Sequence, residues 1–116
     1  MPENVASGSL RTLPIDKDLY LLRAENPGDR PAILQRDMEK GYLQFHFCLK
    51  GQARFFYNAD RYVLDLSGDH SLLLYNPRAE LPLKLELSPG SWVLSLVMSI
   101  RQFHALFTTE ADYIPF

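Results

Sequence analysis

GYLQFHFCLKG, residues 41–51, alternates polar and apolar side chains between two glycines. Successive side chains leave opposite faces of a β-strand, so this period-two pattern marks a half-buried strand. Gln44, His46 and Cys48 then share one face, and Leu43, Phe45, Phe47 and Leu49 share the other. Lys50-Gly51 supplies a turn, and the run 52–57 (QARFFY) is the expected hairpin partner across it. An amide, an imidazole and a thiol in one row on a rigid element form a metal site, a binding pocket or plain core. The choice among the three decides what the chain does.

The sequence on either side continues in the same style. Residues 18–24 (DLYLLRA) read as a strand, followed by the breaker cluster 25–31 (ENPGDRP), and 32–36 is extended again. After 52–57 comes a turn at Asn58-Ala59-Asp60, then an alternating strand at 61–66 (RYVLDL) and a turn at Ser67-Gly68-Asp69. Residues 71–75 (SLLLY) are continuously apolar and so are expected to be buried on both faces. Residues 81–87 (LPLKLEL) alternate, and Ser88-Pro89-Gly90 turns the chain into 92–98. Ser99 is placed to cap a helix over 99–108, with Ile100, Phe103 and Phe107 on one side. Residues 1–9 are small and polar, a loose leader. About eight short strands with turns every 8–12 residues predict an all-β barrel or sandwich followed by a short C-terminal α-helix.

Composition bounds the partners. The 116 residues amount to one domain, and 47% hydrophobic with 12% aromatic content suits a folded core. No apolar run approaches the roughly 20 residues of a membrane-spanning helix. The N-terminus carries early acid and no apolar stretch, so it does not read as a signal peptide. A single cysteine fits a reducing, cytoplasmic setting. A net charge of −2 weighs against this segment gripping phosphate backbones by itself.

Three stretches together, LKGQARF, SLLLYNP and SPGSWVLSLVMSIRQFHALF, resemble the N-terminal sensor domain of AraC-type transcription regulators. The resemblance spans residues 32–116 in the family's order. It implies a cupin-like jelly-roll barrel that binds a small-molecule effector and forms a homodimer. It also implies that DNA is contacted only through a separate C-terminal domain with two helix-turn-helix units. Nothing like that domain follows Phe103 here, and the apolar tail 113–116 invites cover by a partner or a continuation. The chain therefore reads as a sensor domain separated from a longer regulator.

The same resemblance allows the metal reading to be weighed. Many cupins hold a metal with a His-x-His pair, a Glu and a later His, a donor set that suits a first-row ion. Seven residues before the glycine matched by Gly51 stands Gln44 rather than Glu. No histidine lies among 35–39, and the later His position falls on Leu81 or Pro82. No metal, cofactor or catalytic residue is therefore assigned, and the chain is read as a non-enzyme. A stand-alone metal-dependent cupin enzyme, a dioxygenase or isomerase, is the alternative, and a pure oligomerisation module with a filled core is a third reading. His46 and Cys48 as a nucleophile pair lack an orienting carboxylate or oxyanion hole. His70 and His104 read as surface residues, and Arg61, Asp65, Lys84 and Glu86 as solvated strand faces.

What remains is a pocket. With Gln44 at an inward position, His46 and Cys48 also line the barrel, while Phe45, Phe47 and Leu49 pack outward against the helix or another strand. Arg36 is placed at the mouth to clamp an anion, since guanidinium matches a carboxylate bidentately. Trp92 offers a stacking face. The ligand-binding candidates are thus Gln44, His46, Cys48, Arg36 and Trp92.

Overall fold

The computed structural model describes residues 8–57, 59–68 and 70–112, the last six of these as backbone only. Nine strands and one helix follow in order: β1 (Ser9–Asp16), β2 (Leu19–Asn26), β3 (Ala32–Arg36), β4 (Tyr42–Lys50), β5 (Gln52–Tyr57), β6 (Tyr62–Ser67), β7 (Ser71–Leu74), β8 (Leu83–Leu87), β9 (Ser91–Ser99) and α1 (Ile100–Asp112). They form two antiparallel sheets, β1-β2-β9-β4-β7 and β3-β8-β5-β6. The inward faces of the two sheets close on one core, the double-sheet jelly-roll solution to strands that are each apolar on one side. Phe55, Leu22, Leu85, Leu87, Val93 and Val97 are its fully buried centre.

Three expectations are corrected. β4 and β5 are not a hairpin: β4 pairs with β9 and β7, while β5 pairs with β6 and β8. Lys50-Gly51 is a corner that carries the chain from one sheet to the other. Alternation along each strand is the same whichever sheet receives it, so the sequence pattern does not distinguish corner from hairpin. β7 is an edge strand whose only partner among the described residues is β4, and Leu73 is 57% exposed rather than buried. The third correction concerns β1. Ser9 belongs not to a loose leader but to this strand, which runs on to Asp16 and pairs with β2 from Ser9↔Glu25 onward. Residues 1–7 of the expected leader and the tail 113–116 lie outside the described residues, as do Asn58 and Asp69 of the two turns.

Inward positions follow the alternation. On β4 these are Tyr42, Gln44, His46 and Cys48; on β9 they are Ser91, Val93, Ser95 and Val97. Outward, Leu43 and its register partner Met98 are buried at the end of the sheet where α1 leaves β9. Phe47 and Leu49 are exposed among the described residues, not packed under the helix. They lie farther along β4 than α1, which starts beyond Ser99, opposite Tyr42. Ser99 caps that helix as its position promised, its hydroxyl accepting from the Gln102 amide at 3.1 Å. The Phe107 side chain lies outside the described residues.

Asn26 closes the end of the barrel opposite the helix. Its amide nitrogen donates to the carbonyls of Arg30 (2.7 Å), Leu87 (3.0 Å) and Ser88 (3.3 Å), and its oxygen accepts from Gly28 N at 3.1 Å. One buried side chain therefore holds the β2–β3 loop onto the end of β8. Asn26→Ala is expected to cost about 1–3 kcal/mol, because carbonyls that stay buried lose their donor. A urea midpoint unchanged from the parent would refute this account.

Candidate functional site

On the inward row of β4, Gln44, His46 and Cys48 are buried, His46 at 0% exposure. Gln44 and His46 are satisfied within the barrel in a single chain of hydrogen bonds. Gln44 Nε2 donates to the Leu81 carbonyl at 2.9 Å, which leaves Gln44 Oε1 as an acceptor 3.0 Å from His46 Nε2. His46 must carry its proton on Nε2, so Nδ1 accepts from the Ser95 hydroxyl at 2.5 Å. The ring lies against Phe55, with centroids 4.6 Å apart. Desolvation in this setting lowers the His46 pKa to about 4, so the imidazole is neutral.

Cys48 takes no part in that chain. Its thiol donates to the Lys50 and Gly51 carbonyls at 3.4 and 3.3 Å, and burial pushes its pKa up. Both nitrogens of His46 are engaged elsewhere, so no thiolate–imidazole couple is set up. A metal fares no better. The one ring lone pair of His46 faces Ser95, and among the described residues no three His, Cys, Asp or Glu side chains converge. The donors present do not fit a cupin metal centre.

The open space lies elsewhere, at the barrel end where β3 and β5 finish and β8 begins. A groove of about 560 Å³ there is lined by Arg36, Phe56, Tyr57, Asp60, Leu83 and Lys84, among others. That volume falls within the range of small-molecule sites, roughly 300–1,000 Å³. Arg36 ends β3, half-buried, and donates to the Thr12 hydroxyl of β1 across the gap between sheets. Lys84 is already neutralised: its ammonium lies 2.9 Å from Asp60 and 5.5 Å from the centre of the Phe56 ring. Two further tyrosines, Tyr20 and Tyr42, stand at the same end, ring centres 6.5 Å apart. The Tyr42 hydroxyl donates to Asp18, and burial with that bond raises its pKa to about 12.

Tyr57 differs from these. It is 8% exposed, and its hydroxyl is buried with no hydrogen-bond partner among the described residues. Burial pushes the phenol far above its ordinary pKa, so it stays a neutral donor. A buried polar group left without a partner costs about 1–3 kcal/mol, and Trp92 Nε1 is a second such group among the described residues. Sequence reasoning missed Tyr57, which sits in QARFFY as one aromatic among three. It also gave Lys84 no role beyond a solvated face, though that side chain lines the groove.

Of the five sequence candidates, Gln44 and His46 are joined to each other, Cys48 is tied to the corner, and Arg36 lines the groove. Trp92 is brought to none of them. It lies on the outward side of β9 at the opposite end, under the Arg23 guanidinium (4.8 Å), beside a smaller hollow of about 320 Å³ shared with Glu25 and Lys50.

No protein-family model matches this sequence, and no curated protein matches it. Solved structures do match the fold. The chain is similar to the Cupin_2 domain of an XRE family transcriptional regulator from Enterobacter cloacae, with TM-score 0.57, 12% identity, and coverage of 79% of this chain and 96% of that one. It is also similar to an HTH_3 family transcriptional regulator from Vibrio cholerae (TM-score 0.56, 12% identity, 80% of this chain and 51% of that one). Oxalate oxidase is similar to the same degree, with TM-score 0.61, 7% identity, and coverage of 83% and 53%. The chain thus spans about half the length of that HTH_3 regulator and of the oxidase. At these identities the likeness establishes a cupin, jelly-roll fold. The two regulators are of the XRE and HTH_3 kinds, not the AraC kind that the sequence motifs resemble. The expectation that the chain is no enzyme is overturned as a consequence of its fold, because oxalate oxidase is built on the same barrel.

Proposed function

We propose that this barrel is the effector-binding and dimerising sensor domain of an AraC-type transcription regulator, working in the cytoplasm and reaching DNA through a helix-turn-helix domain outside the barrel. The observation that carries the reading is the groove at the barrel mouth, beside which Tyr57 keeps a buried hydroxyl with no hydrogen-bond partner among the described residues. The occurrence of the same fold in regulators of the XRE and HTH_3 kinds supports it, as do the three motifs that resemble the AraC sensor domain. In this reading Arg36 and Tyr57 touch the effector, and Gln44, His46 and Cys48 form the rigid wall behind them. An effector that favours one arrangement of the barrel mouth shifts the population toward it, and differential affinity is the only energy available for that shift. Among the described residues no helix is long and apolar enough to cross a membrane.

Thermal unfolding against a metabolite panel tests the proposal. A true effector at 100 times its Kd adds about 2.7 kcal/mol of stability. For a domain of this size that is a rise in Tm of roughly 10 °C or more. Sedimentation equilibrium at micromolar concentration should show a dimer. A monomer throughout, together with no stabilising compound in the panel, would defeat the reading.

A further inference from the structure

Resting on the homodimer of the reading above, we infer that the dimer forms through the outer face of the sheet β1-β2-β9-β4-β7, laid on the same face of a second copy. The two outer faces of the barrel are built differently. On β3-β8-β5-β6 the outward register neighbours Glu86, Arg54 and Asp65 are all charged, and Arg54 lies 3.3 Å from Asp65. That is a solvated face. On the other sheet the outward row Leu13–Leu21–Leu96–Phe45–Leu73 crosses all five strands in register without a polar side chain. Leu13 and Leu73, at its two ends, are 60% and 57% exposed, and Phe47 and Leu49 farther along β4 are exposed as well. A contiguous apolar patch of this width marks an interaction site.

Size and flatness select the occupant. Strands stand about 4.8 Å apart and rise about 3.3 Å per residue, so these five cover roughly 600 Å² in projection. Two such faces offer on the order of 1,200 Å², which reaches the range of stable interfaces, about 1,200–2,000 Å². A single helix, about 10 Å wide with its side chains, spans about two strands and leaves part of the row in water. A second sheet covers the full width, as the layers of a sandwich do at about 30°. Symmetry fits as well. A two-fold axis near β9, the middle strand, lays β1 over the partner's β7 and turns the row end for end, so Leu13 meets the partner's Leu73. Arg11 and Arg23, in the adjacent register row, then face the partner's Ser71 and the partner's Phe47. A guanidinium there meets a hydroxyl or a ring face instead of a like charge.

Sedimentation equilibrium of the whole chain tests the inference. The parent is expected to be a dimer at micromolar concentration, and Phe47→Glu with Leu73→Glu should weaken it about a hundredfold or more. Both side chains point away from the core, so the barrel should still fold. Val63→Glu, on the charged outer face, and Leu106→Glu, on α1, should leave the dimer intact. Cysteine pairs add a test that introduces no charge. Chains carrying Leu13→Cys mixed with chains carrying Leu73→Cys should be joined by a short bis-maleimide, since stacked sheets lie about 10 Å apart. Neither variant alone should be joined. A dimer lost in Leu106→Glu and kept in the double variant would overturn this face while leaving the dimeric sensor standing. Loss in Val63→Glu to the same degree, or crosslinking within a single cysteine variant, would overturn the face and the axis respectively. A parent that stays monomeric would overturn the inference, and stabilisation by a compound in the metabolite panel would then still uphold the effector site.

Discussion

Gly51→Ala is expected to destabilise the barrel by roughly 2–5 kcal/mol, a large part of the 5–15 kcal/mol that a small domain possesses. Two effects add. Gly51 has φ +77°, a left-handed conformation that costs an L side chain about 1–2 kcal/mol. A β-carbon there would also lie 2.1 Å from Ser91 Oγ and 2.9 Å from Ser91 Cα. Ser91 is buried, its Oγ accepts from the Gln52 amide at 2.9 Å, and it lies 2.5 Å from Ser88 Oγ. The hydroxyl can swing aside only by abandoning those bonds, and the backbone carbon cannot move without shifting the start of β9. Overpacking of this kind costs roughly 1–3 kcal/mol more. Adding Ser91→Gly should restore the contact portion and leave the backbone portion, so the double-mutant cycle separates the two. A urea midpoint for Gly51→Ala within error of the parent would mean that the corner is not where the two sheets are joined.

The corner shows where reading the sequence succeeds and where it stops. GYLQFHFCLKG specifies a strand and the inward parity of Gln44, His46 and Cys48, because side-chain alternation is a local property of the backbone. Which sheet receives the next strand depends on the close approach of Gly51 to Ser91, 40 positions on, and no local pattern encodes it. β1 escaped for a related reason. SLRTLPID has a proline and few alternating apolar residues, and as an edge strand with most positions exposed it needs none. SLLL misled in the opposite direction: three leucines signal burial, yet β7 sits at the edge with Leu73 facing outward beside its register partner Phe45.

The site was legible to a lesser degree. Arg36 was expected at the mouth for its guanidinium, just upstream of the strand 41–51, and it lines the groove. The row on β4 looked like free recognition chemistry because its partners, Ser95 and Leu81, lie 49 and 37 residues away in sequence. Tyr57 carried no sequence signal at all. A missing hydrogen-bond partner exists only after the fold has buried the hydroxyl.

Stability should fall by about 3 kcal/mol as pH drops from 6.5 to 4, and His46 should account for that loss. In the unfolded chain this histidine takes up a proton near pH 6.5, whereas burial lowers its folded pKa to about 4. Between those values the unfolded state binds more protons than the native one, so stability rises with pH across that window and is lost on acidification. Below about pH 4 the native ring is also protonated and this contribution levels off. Burial explains why the proton is refused, and the hydrogen-bond chain of neutral groups offers a charged ring no anionic partner. Nδ1 already accepts from Ser95, so a second N–H there would confront a hydroxyl that must turn its own hydrogen away, in a space closed by Phe55. The control is His46→Leu. At neutral pH it should lose about 1–3 kcal/mol, since Ser95 and Gln44 each lose a partner. Between pH 6.5 and 4, however, its urea midpoint should lack the histidine-dependent decline of the parent. His70 and His104 are exposed and remain in both proteins, so the difference between the two profiles isolates the buried ring. Parallel profiles would show that His46 is not held neutral by the fold. The rigid wall assigned to it behind the groove would then have to be abandoned as well.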